Sequence, residues 1–356
     1  MENPGKRRFI CFGIESSCDE TAAAVVADGA EILSTVVASQ TEIHKAYGGV
    51  VPEVACRAHE EFMLPVIEQA LGSAGLTTGD IDVVAVTTHP GLIGALLIGV
   101  SAAKALAYAI DKPLIAVNHV HAHIYAANLH FGVVPYPSVS LVVSGGHTSL
   151  FLSKSPTRHE MVGATKDDAA GEAFDKCAKI MGLGYPGGPA IEKTSAGGNP
   201  SAVPFPRSFL KGDSLDFSFS GVKTSVLYHC KGLNGDLAGP DVYKEPLKDL
   251  AASFQEAIAD VLVAKVEKAV RRHLPEAVVV GGGVAANSRL RLKLAELGKK
   301  ISIPVLIPPL GLCTDNAASV AGLGFHHWKE GKISDLSLDA SPDSIGVGIK
   351  RKKRHI

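Results

Sequence analysis

The feature that most constrains the fold is a repeat in which two distant segments each place a polar turn between two apolar strands. In the first copy, apolar residues 9–14 and 21–27 flank the turn ESSCDE at 15–20, and a further strand is predicted at 31–37. In the second copy, apolar residues 138–143 and 148–153 flank the turn SGGH at 144–147. Helical and strand patterns follow each copy. The sequence therefore predicts an α/β protein of two lobes with a duplicated β-β-β-α-β-α plan, closing over a nucleotide whose phosphates face the two turns.

This plan divides the chain into an N-terminal lobe at 1–130, a C-terminal lobe at 131–335 and an extension at 336–356. Residues 197–240 are rich in Gly, Pro and Ser and are predicted to be irregular, apart from the phrase DFSFSGVKTS at 216–225. A final helix is predicted at 315–328, within the second lobe. The extension carries KRKKR at 350–354, for which solvent exposure is the ordinary interpretation and RNA contact the alternative.

Composition and charge exclude several classes of protein. With 46% hydrophobic and 20% charged residues, the 356 residues suit a compact enzyme and not a disordered chain. The net charge of −1 does not indicate a nucleic-acid partner, so any such contact needs a local basic patch or a helper protein. The six cysteines form no CxxC pair, and no window approaches about 18 uninterrupted apolar residues. We therefore expect a cytoplasmic protein with reduced thiols and no membrane span.

A pair of histidines indicates a metal site. Apolar residues 113–117 predict a buried strand that ends at Asn118, a good N-cap for the helix that follows. His119 and His123 are four residues apart and share one face of that helix, as the paired ligands of zinc proteases do. An Asp is the usual third ligand, and Asp315, at the start of the last predicted helix, is a candidate both for this role and for an N-cap. On the residues alone, a histidine-rich helix start that only packs or faces solvent is the alternative.

Two glycine-rich turns indicate an anion or nucleotide site. The SGGH turn lets backbone N–H groups approach an anion, although an ordinary tight hairpin explains the same residues. GGG at 281–283 follows an apolar strand and precedes a helix whose first turn contains Asn287, a possible hydrogen-bond partner of a base or sugar. This is not GxGxxG, so a dinucleotide site is not predicted. Near the start of another helix, Asp175 either holds ribose hydroxyls or, with its acidic neighbours, only complements the helix dipole.

Eight motifs occur in an order that resembles one family. They are GIESSCDETAAAVV (13–26), HPGLIGALLIGVSAAKAL (89–106), NHVHAHIYAA (118–127), VSGGHTSL (143–150), GEAFDKCAKIMGLGYPGGPAIEK (171–193), DFSFSGVKTS (216–225), GGGVAANSRLR (281–291) and CTDNAA (313–318). Together they resemble the TsaD family, formerly called O-sialoglycoprotein endopeptidase, over about residues 9–330. Each motif alone is weak, but eight in sequence order are specific.

The resemblance implies the two-lobed fold of actin, Hsp70 and sugar kinases (ASKHA), built from duplicated RNase H-like lobes. It implies transfer of a threonylcarbamoyl group from threonylcarbamoyl-AMP to the exocyclic amine of the adenosine beside the anticodon, with release of AMP. The substrates would be tRNAs that read codons beginning with A. Implied partners are a paralogous, TsaB-like dimerisation subunit and a TsaE-like P-loop ATPase subunit. The implied cofactor is one divalent or trivalent metal ion per subunit, iron first and zinc as the alternative.

The family's functional residues carry over to this chain by motif. The implied metal ligands are His119, His123 and Asp315. The implied adenylate-binding set is Val143, Ser144, Gly145, Gly146, His147, Asp175, Gly188, Glu192 and Asn287. The commonest form of the metal motif has an acidic residue where His121 stands and a glycine at Ala122. The ligand spacing is intact, so the site is kept, and we expect this departure to alter either the surroundings of the metal or the preference for one metal over another.

The acidic turn supplies candidate catalytic residues. An adenine amine is a poor nucleophile, and carboxylates on a strand-linking turn are suited to orient or deprotonate it. We therefore predict catalytic roles for Glu15 and Asp19, with Glu20 beside them, and a purely structural turn is the alternative. A metalloprotease is disfavoured because Val120 and His121 occupy places where HExxH needs its glutamate. A chaperone-like nucleotide module would not need the metal triad, and a sugar kinase would need a separate sugar domain.

Overall fold

The computed structural model describes residues 7–209, 213–231 and 245–343. These residues form two compact units, and the chain passes between the units more than once. The first unit contains the described residues among 1–40, 50–129 and 315–356, and the second those among 41–49 and 130–314. The basic tail at 350–354 lies outside the described residues.

Each unit is built on a five-stranded sheet, and the two sheets have the same plan. The strands of the first are β1 Ile10–Glu15, β2 Glu20–Ala27, β3 Glu31–Ser39, β4 Val83–His89 and β5 Leu114–Asn118, in the order β3-β2-β1-β4-β5. Those of the second are β6 Ser138–Val143, β7 Thr148–Ser155, β8 Arg158–Ala164, β9 Ala277–Gly281 and β10 Val305–Leu306, in the order β10-β9-β6-β7-β8. In both sheets, the first three strands pair antiparallel in sequence order. The fourth strand pairs parallel with the first, and the fifth pairs parallel with the fourth. The predicted duplication is confirmed.

Helices follow the strands as the hydrophobic pattern predicts. Two short helices, Thr41–Lys45 and Leu310–Cys313, are additional. The helices are α1 Thr41–Lys45, α2 Pro52–Ala74, α3 Ile93–Ala109, α4 His119–Phe131, α5 Ala170–Ile180, α6 Gly187–Thr194, α7 Ser220–Lys231, α8 Leu247–His273, α9 Ser288–Ile301, α10 Leu310–Cys313 and α11 Ala317–Lys329. Of the helices in the described residues, none combines the length and the apolar sequence that crossing a bilayer requires.

The first sheet is covered on both faces, which explains why its central strands are apolar at every position. All six residues of β1 are buried. Phe12 and Ile14 pack with α2 and α3 in one core cluster, whereas Cys11 on the opposite face packs with the alanines of α11. Because α11 packs on β1, β2 and β4, the chain returns to the first unit after residue 314.

Two sequence predictions are corrected here. The sequence predicts that the last helix belongs to a second lobe ending near residue 335, but its buried alanines, including Ala317 and Ala321, pack on the first sheet. Apart from the phrase DFSFSGVKTS at 216–225, residues 197–240 are predicted to be irregular, yet α7 begins within that phrase and continues to Lys231. It forms because Val222, Val226 and Cys230 recur every four residues and bury one face in the second unit.

Candidate metal and adenylate sites

The carboxyl ends of β1, β4 and β5 lie together because these three strands are parallel neighbours. Glu15 ends β1, Thr87 lies near the end of β4, and Asn118 ends β5. In an α/β sheet, ligand-binding sites ordinarily lie at this edge, and polar side chains gather there in this protein. The first helical turn after β5 brings the predicted histidine pair to the same edge.

The helix α4 starts as the sequence predicts. The side-chain oxygen of Asn118 accepts a hydrogen bond from the backbone N–H of His121 at 3.0 Å, which is N-cap geometry. His119 and His123 are 5% and 3% exposed, and their ring centroids lie 4.5 Å apart. Two buried imidazoles are therefore held side by side on one helical face.

Asp315 completes a possible ligand set. Its Oδ1 lies 3.2 Å from His123 Nε2 and 3.7 Å from His119 Nε2, and the ligand atoms of the three residues lie within 4.8 Å of one another. His123 Nε2 is buried and makes no hydrogen bond within the described residues. Asp315 is not the N-cap of α11, since Asn316 accepts the N–H of Ser319 at 2.9 Å. The carboxylate of Asp315 instead faces the histidines, and the donor set fits a metal ion.

Glu15 lies behind His119, buried at 1% exposure. Its Oε2 accepts the Thr87 hydroxyl at 2.7 Å and lies 3.1 Å from His119 Nδ1, while its Oε1 accepts the Ser17 N–H at 2.6 Å. A hydrogen bond from Nδ1 to this carboxylate fixes the imidazole so that Nε2 is turned toward Asp315. The structure places Glu15 as an orienting partner of His119.

The charge balance of this edge favours a cation. Burial by itself would lower the pKa of His119, but the carboxylates of Asp315 and Glu15 outweigh it and raise that pKa to about 9. Burial, together with Asp315 and Asp19, raises the pKa of Glu20 to about 10. Burial and the neighbouring Asp19 also raise the pKa of the Cys18 thiol. Crowded carboxylates of this kind are stabilised by a proton or by a metal ion.

The SGGH turn of the second unit is fixed by its own bonds and by α5. Ser144 N–H donates to the His147 carbonyl at 2.8 Å, and His147 N–H donates to Ser144 Oγ at 3.2 Å. The start of α5 donates to the turn, from Gly171 to the Ser144 carbonyl at 3.2 Å. A Cβ at Gly171 would lie 2.5 Å from that carbonyl oxygen, so the helix approaches this closely only with glycine there.

Two N–H groups of this turn are available to a ligand. Those of Gly145 and Gly146 donate to no acceptor in the part of the chain that the structure describes. Open space surrounds both glycines, since a Cβ on either would meet nothing within 4 Å. The GGG turn lies beside them because β6 and β9 are parallel, with Val142 opposite Gly281. Gly282 has φ +92° and a Cβ there would lie 2.4 Å from the Val143 oxygen.

The other residues of the predicted adenylate set are linked to this turn through helix termini. Asp175, on α5, accepts the N–H of Gly187 at 2.7 Å and so caps α6, where Gly188 borders open space. Glu192, on α6, accepts the N–H of Ser288 at 3.0 Å. Each carboxylate therefore holds the start of a neighbouring helix.

Asn287 is the N-cap of α9, not a residue of its first turn. Its Oδ1 accepts the Leu290 N–H at 3.0 Å and its Nδ2 donates to Gln255 Oε1 at 2.6 Å. A strand-to-helix turn in the sequence cannot show this, because Gln255 comes from α8.

Sequence reasoning missed three residues that support the metal edge. They are Ser17, Thr87 and His59. His59 is fully buried; its Nε2 donates to the Cys18 carbonyl at 2.9 Å and its Nδ1 lies 2.7 Å from the Thr21 hydroxyl. For His59, the signal in the sequence is a single polar residue at a core position of α2. Such a residue does not identify its hydrogen-bond partners.

Comparison with solved structures shows the class of fold. HypF of T. kodakarensis has a TM-score of 0.59 at 15% identity, with 93% of this chain and 49% of that chain covered. Component A of the (R)-2-hydroxyglutaryl-CoA dehydratase of Acidaminococcus fermentans has a TM-score of 0.52 at 14% identity, with 91% and 99% covered. The fold is the α/β ASKHA fold with duplicated RNase H-like sheets.

Sequence comparison is more specific. The family model TsaD, described as tRNA N6-adenosine threonylcarbamoyltransferase, matches residues 31–322. Relatives of that name are 50% identical in Moorella thermoacetica, over 93% of this chain and 96% of the relative, and 52% identical in Symbiobacterium thermophilum, over 97% and 99%. The chain belongs to the TsaD family.

Proposed function

We propose that this chain transfers the threonylcarbamoyl group of threonylcarbamoyl-AMP to the exocyclic amine of the adenosine beside the anticodon, releasing AMP. The observation that carries the proposal is the triad of two buried histidines and the partly exposed Asp315 in a chain of this family. We assign His119, His123 and Asp315 as ligands of one metal ion, with iron expected and zinc as the alternative. When bound there, the ion would supply Lewis-acid polarisation of the acyl group.

In the reaction, the amine nitrogen forms a bond to the carbamoyl carbon, the carbon–oxygen bond to the phosphate breaks, and the amine loses a proton. The leaving phosphate gains negative charge. The N–H groups of Gly145 and Gly146 are suited to bind its oxygens, since nothing else in the described residues occupies them. Val143, Ser144 and His147 shape that turn, Asp175, Glu192 and Asn287 hold the surrounding helix starts, and Gly188 borders open space.

The acidic turn has two separate roles in this proposal. Glu15 orients His119 and does not contact the amine, because its carboxylate is buried and bonded on both oxygens. Asp19 is only half-buried and remains the proposed group for orienting or deprotonating the amine. A base in an anticodon loop is already single-stranded, so presenting it costs little.

We also propose that the chain works in the cytoplasm with a TsaB-like dimerisation subunit and a TsaE-like ATPase subunit. Support comes from large apolar side chains left exposed on neighbouring helices, with Leu64 of α2 68% exposed and Tyr108 of α3 76% exposed. Co-purification of the chain with candidate subunits tests this. A monomeric elution unaffected by either subunit would contradict it.

The test of the function is reconstitution with unmodified tRNA, an enzyme that makes the adenylate, and candidate partners. Modified nucleoside and AMP are expected in equal amounts from the wild type and not from His123→Ala. His130→Ala is the matched control, because His130 is an exposed histidine at the other end of α4. A folded His123→Ala variant with full transfer activity would refute the ligand assignment, and no product from the wild type would refute the function.

A further inference from the structure

A second charged site lies where α8 and α9 end, in the second unit. A cavity of about 700 Å³ opens there, and apart from one alanine every side chain that lines it is charged. Lys268, Arg271, Arg272 and Lys300 contribute four positive charges, and Asp213 and Glu267 two negative ones. The cavity therefore carries an excess of two positive charges in a chain whose net charge is −1.

The two carboxylates are each shared between two cations. Asp213 lies 2.9 Å from Lys268 Nζ and also pairs with Arg272. Glu267 lies 2.9 Å from Lys300 Nζ and also pairs with Arg271. Each carboxylate neutralises the charge of only one of its two cationic partners. The remaining positive charge favours the binding of a further anion. Arg271 and Lys300 form the accessible rim, at 71% and 62% exposure.

A buried amine adds to the positive potential. Lys265 is 2% exposed, and its ammonium donates to the carbonyls of Ser214 at 2.7 Å and Phe209 at 3.1 Å. No carboxylate of the described residues lies within ion-pair distance of it. Burial and the neighbouring Lys268 lower the pKa of Lys265, and Asp216 acts in the opposite direction.

The helix dipole does not account for this cluster. It explains cations in the last turns of α8 and α9, where Arg271, Arg272 and Lys300 lie. It does not explain Lys268 and Lys265, which precede the last turn, or the concave shape of the site. Shared carboxylates, an excess of two positive charges and a cavity together describe an anion site.

We propose that this cavity binds phosphates of the tRNA backbone. The proposal rests on the proposed function, which supplies the polyanion. Guanidinium and ammonium groups are the ordinary ligands of backbone phosphates, which set the register of the nucleic acid without reading its sequence. The excess of two charges matches about two phosphate contacts.

The test compares the full-length wild type with the double variant Arg271→Gln, Lys300→Gln in tRNA binding across a salt series. The slope of log affinity against log salt should fall by about 2, so the wild-type advantage shrinks about tenfold between roughly 50 and 200 mM salt. In transfer assays, KM for tRNA should rise while kcat is kept. Lys154→Gln is the matched control, since Lys154 is exposed in the same unit, pairs with Glu160 and lies outside the cavity.

A second variant has the opposite expected sign. Glu267→Gln frees Arg271 and Lys300 for phosphate, so tRNA should bind more tightly, whereas a purely structural ion pair predicts no gain. Thermal melting of each variant separates binding from folding. Unchanged affinity and slope in the double variant would overturn the proposal, as would loss of partner-subunit binding with tRNA binding intact. A wild type that neither binds nor modifies tRNA would overturn the proposed function as well.

Discussion

Replacing Glu15 by Gln should weaken metal binding at the His119–His123–Asp315 triad by about 10–100-fold. The carboxylate of Glu15 accepts three hydrogen bonds, from Ser17 N at 2.6 Å, Thr87 Oγ1 at 2.7 Å and His119 Nδ1 at 3.1 Å. A glutamine has one oxygen and one NH₂ group in the same space, so either Ser17 N–H or the His119 Nδ1–H must face another donor. Losing one charge-assisted hydrogen bond costs about 1.5–3 kcal/mol, which is about 10–100-fold in affinity.

The assay is competition for the metal against a chelator of known affinity, with circular dichroism to confirm folding. Thr87→Val removes one hydrogen bond to the Glu15 carboxylate but leaves its charge and its bond to His119, so metal affinity should fall less than in Glu15→Gln. Glu53→Gln is the control, because Glu53 is an exposed acid in the same unit and pairs only with Arg57 among the described residues. If Glu15→Gln kept wild-type metal affinity and lost only the transfer rate, the orienting role would be wrong and a direct catalytic role would replace it.

Three other perturbations test separate parts of the account. Gly171→Ala places a Cβ 2.5 Å from the Ser144 oxygen, so it should displace the SGGH turn and weaken AMP binding at least about tenfold by calorimetry; unchanged affinity would contradict this. His59→Ala removes the hydrogen bonds to Cys18 and Thr21 and should lower the free energy of unfolding, measured by urea denaturation, by about 2–3 kcal/mol. An unchanged free energy of unfolding would show that these bonds do not stabilise the fold. Chelation should abolish transfer while AMP still binds, because the metal triad and the adenylate residues lie in different units; loss of both together would argue against that separation.

Local patterns in the sequence predicted the elements well wherever the signal was itself local. Alternating and continuous apolar runs place β1, β2, β6 and β7, and Asn118 starts α4 as expected. The i, i+4 spacing of His119 and His123 on a helix is a local property too, so the pair was found before its third partner. Asp315 was a candidate either for the third ligand or for an N-cap, and the resemblance to a family then favoured the ligand role.

The errors arose where distant residues decide the outcome. Nothing within 315–328 indicates that this helix returns to the first sheet, because that choice depends on alanines packing against β1. Competition between Asp315 and Asn316 for the N-cap is settled by the histidines that attract the carboxylate. The burial of Glu15 likewise follows from Thr87 and His119, which lie more than 70 residues away.

The most direct test of the central claim is the metal content and ligand environment of the isolated protein. Elemental analysis with X-ray absorption spectroscopy should find one metal ion per chain with two imidazole ligands and oxygen ligation. Both signals should disappear in His119→Ala, together with threonylcarbamoyl transfer. A folded wild type that modifies tRNA at full rate with no metal above background would contradict the account.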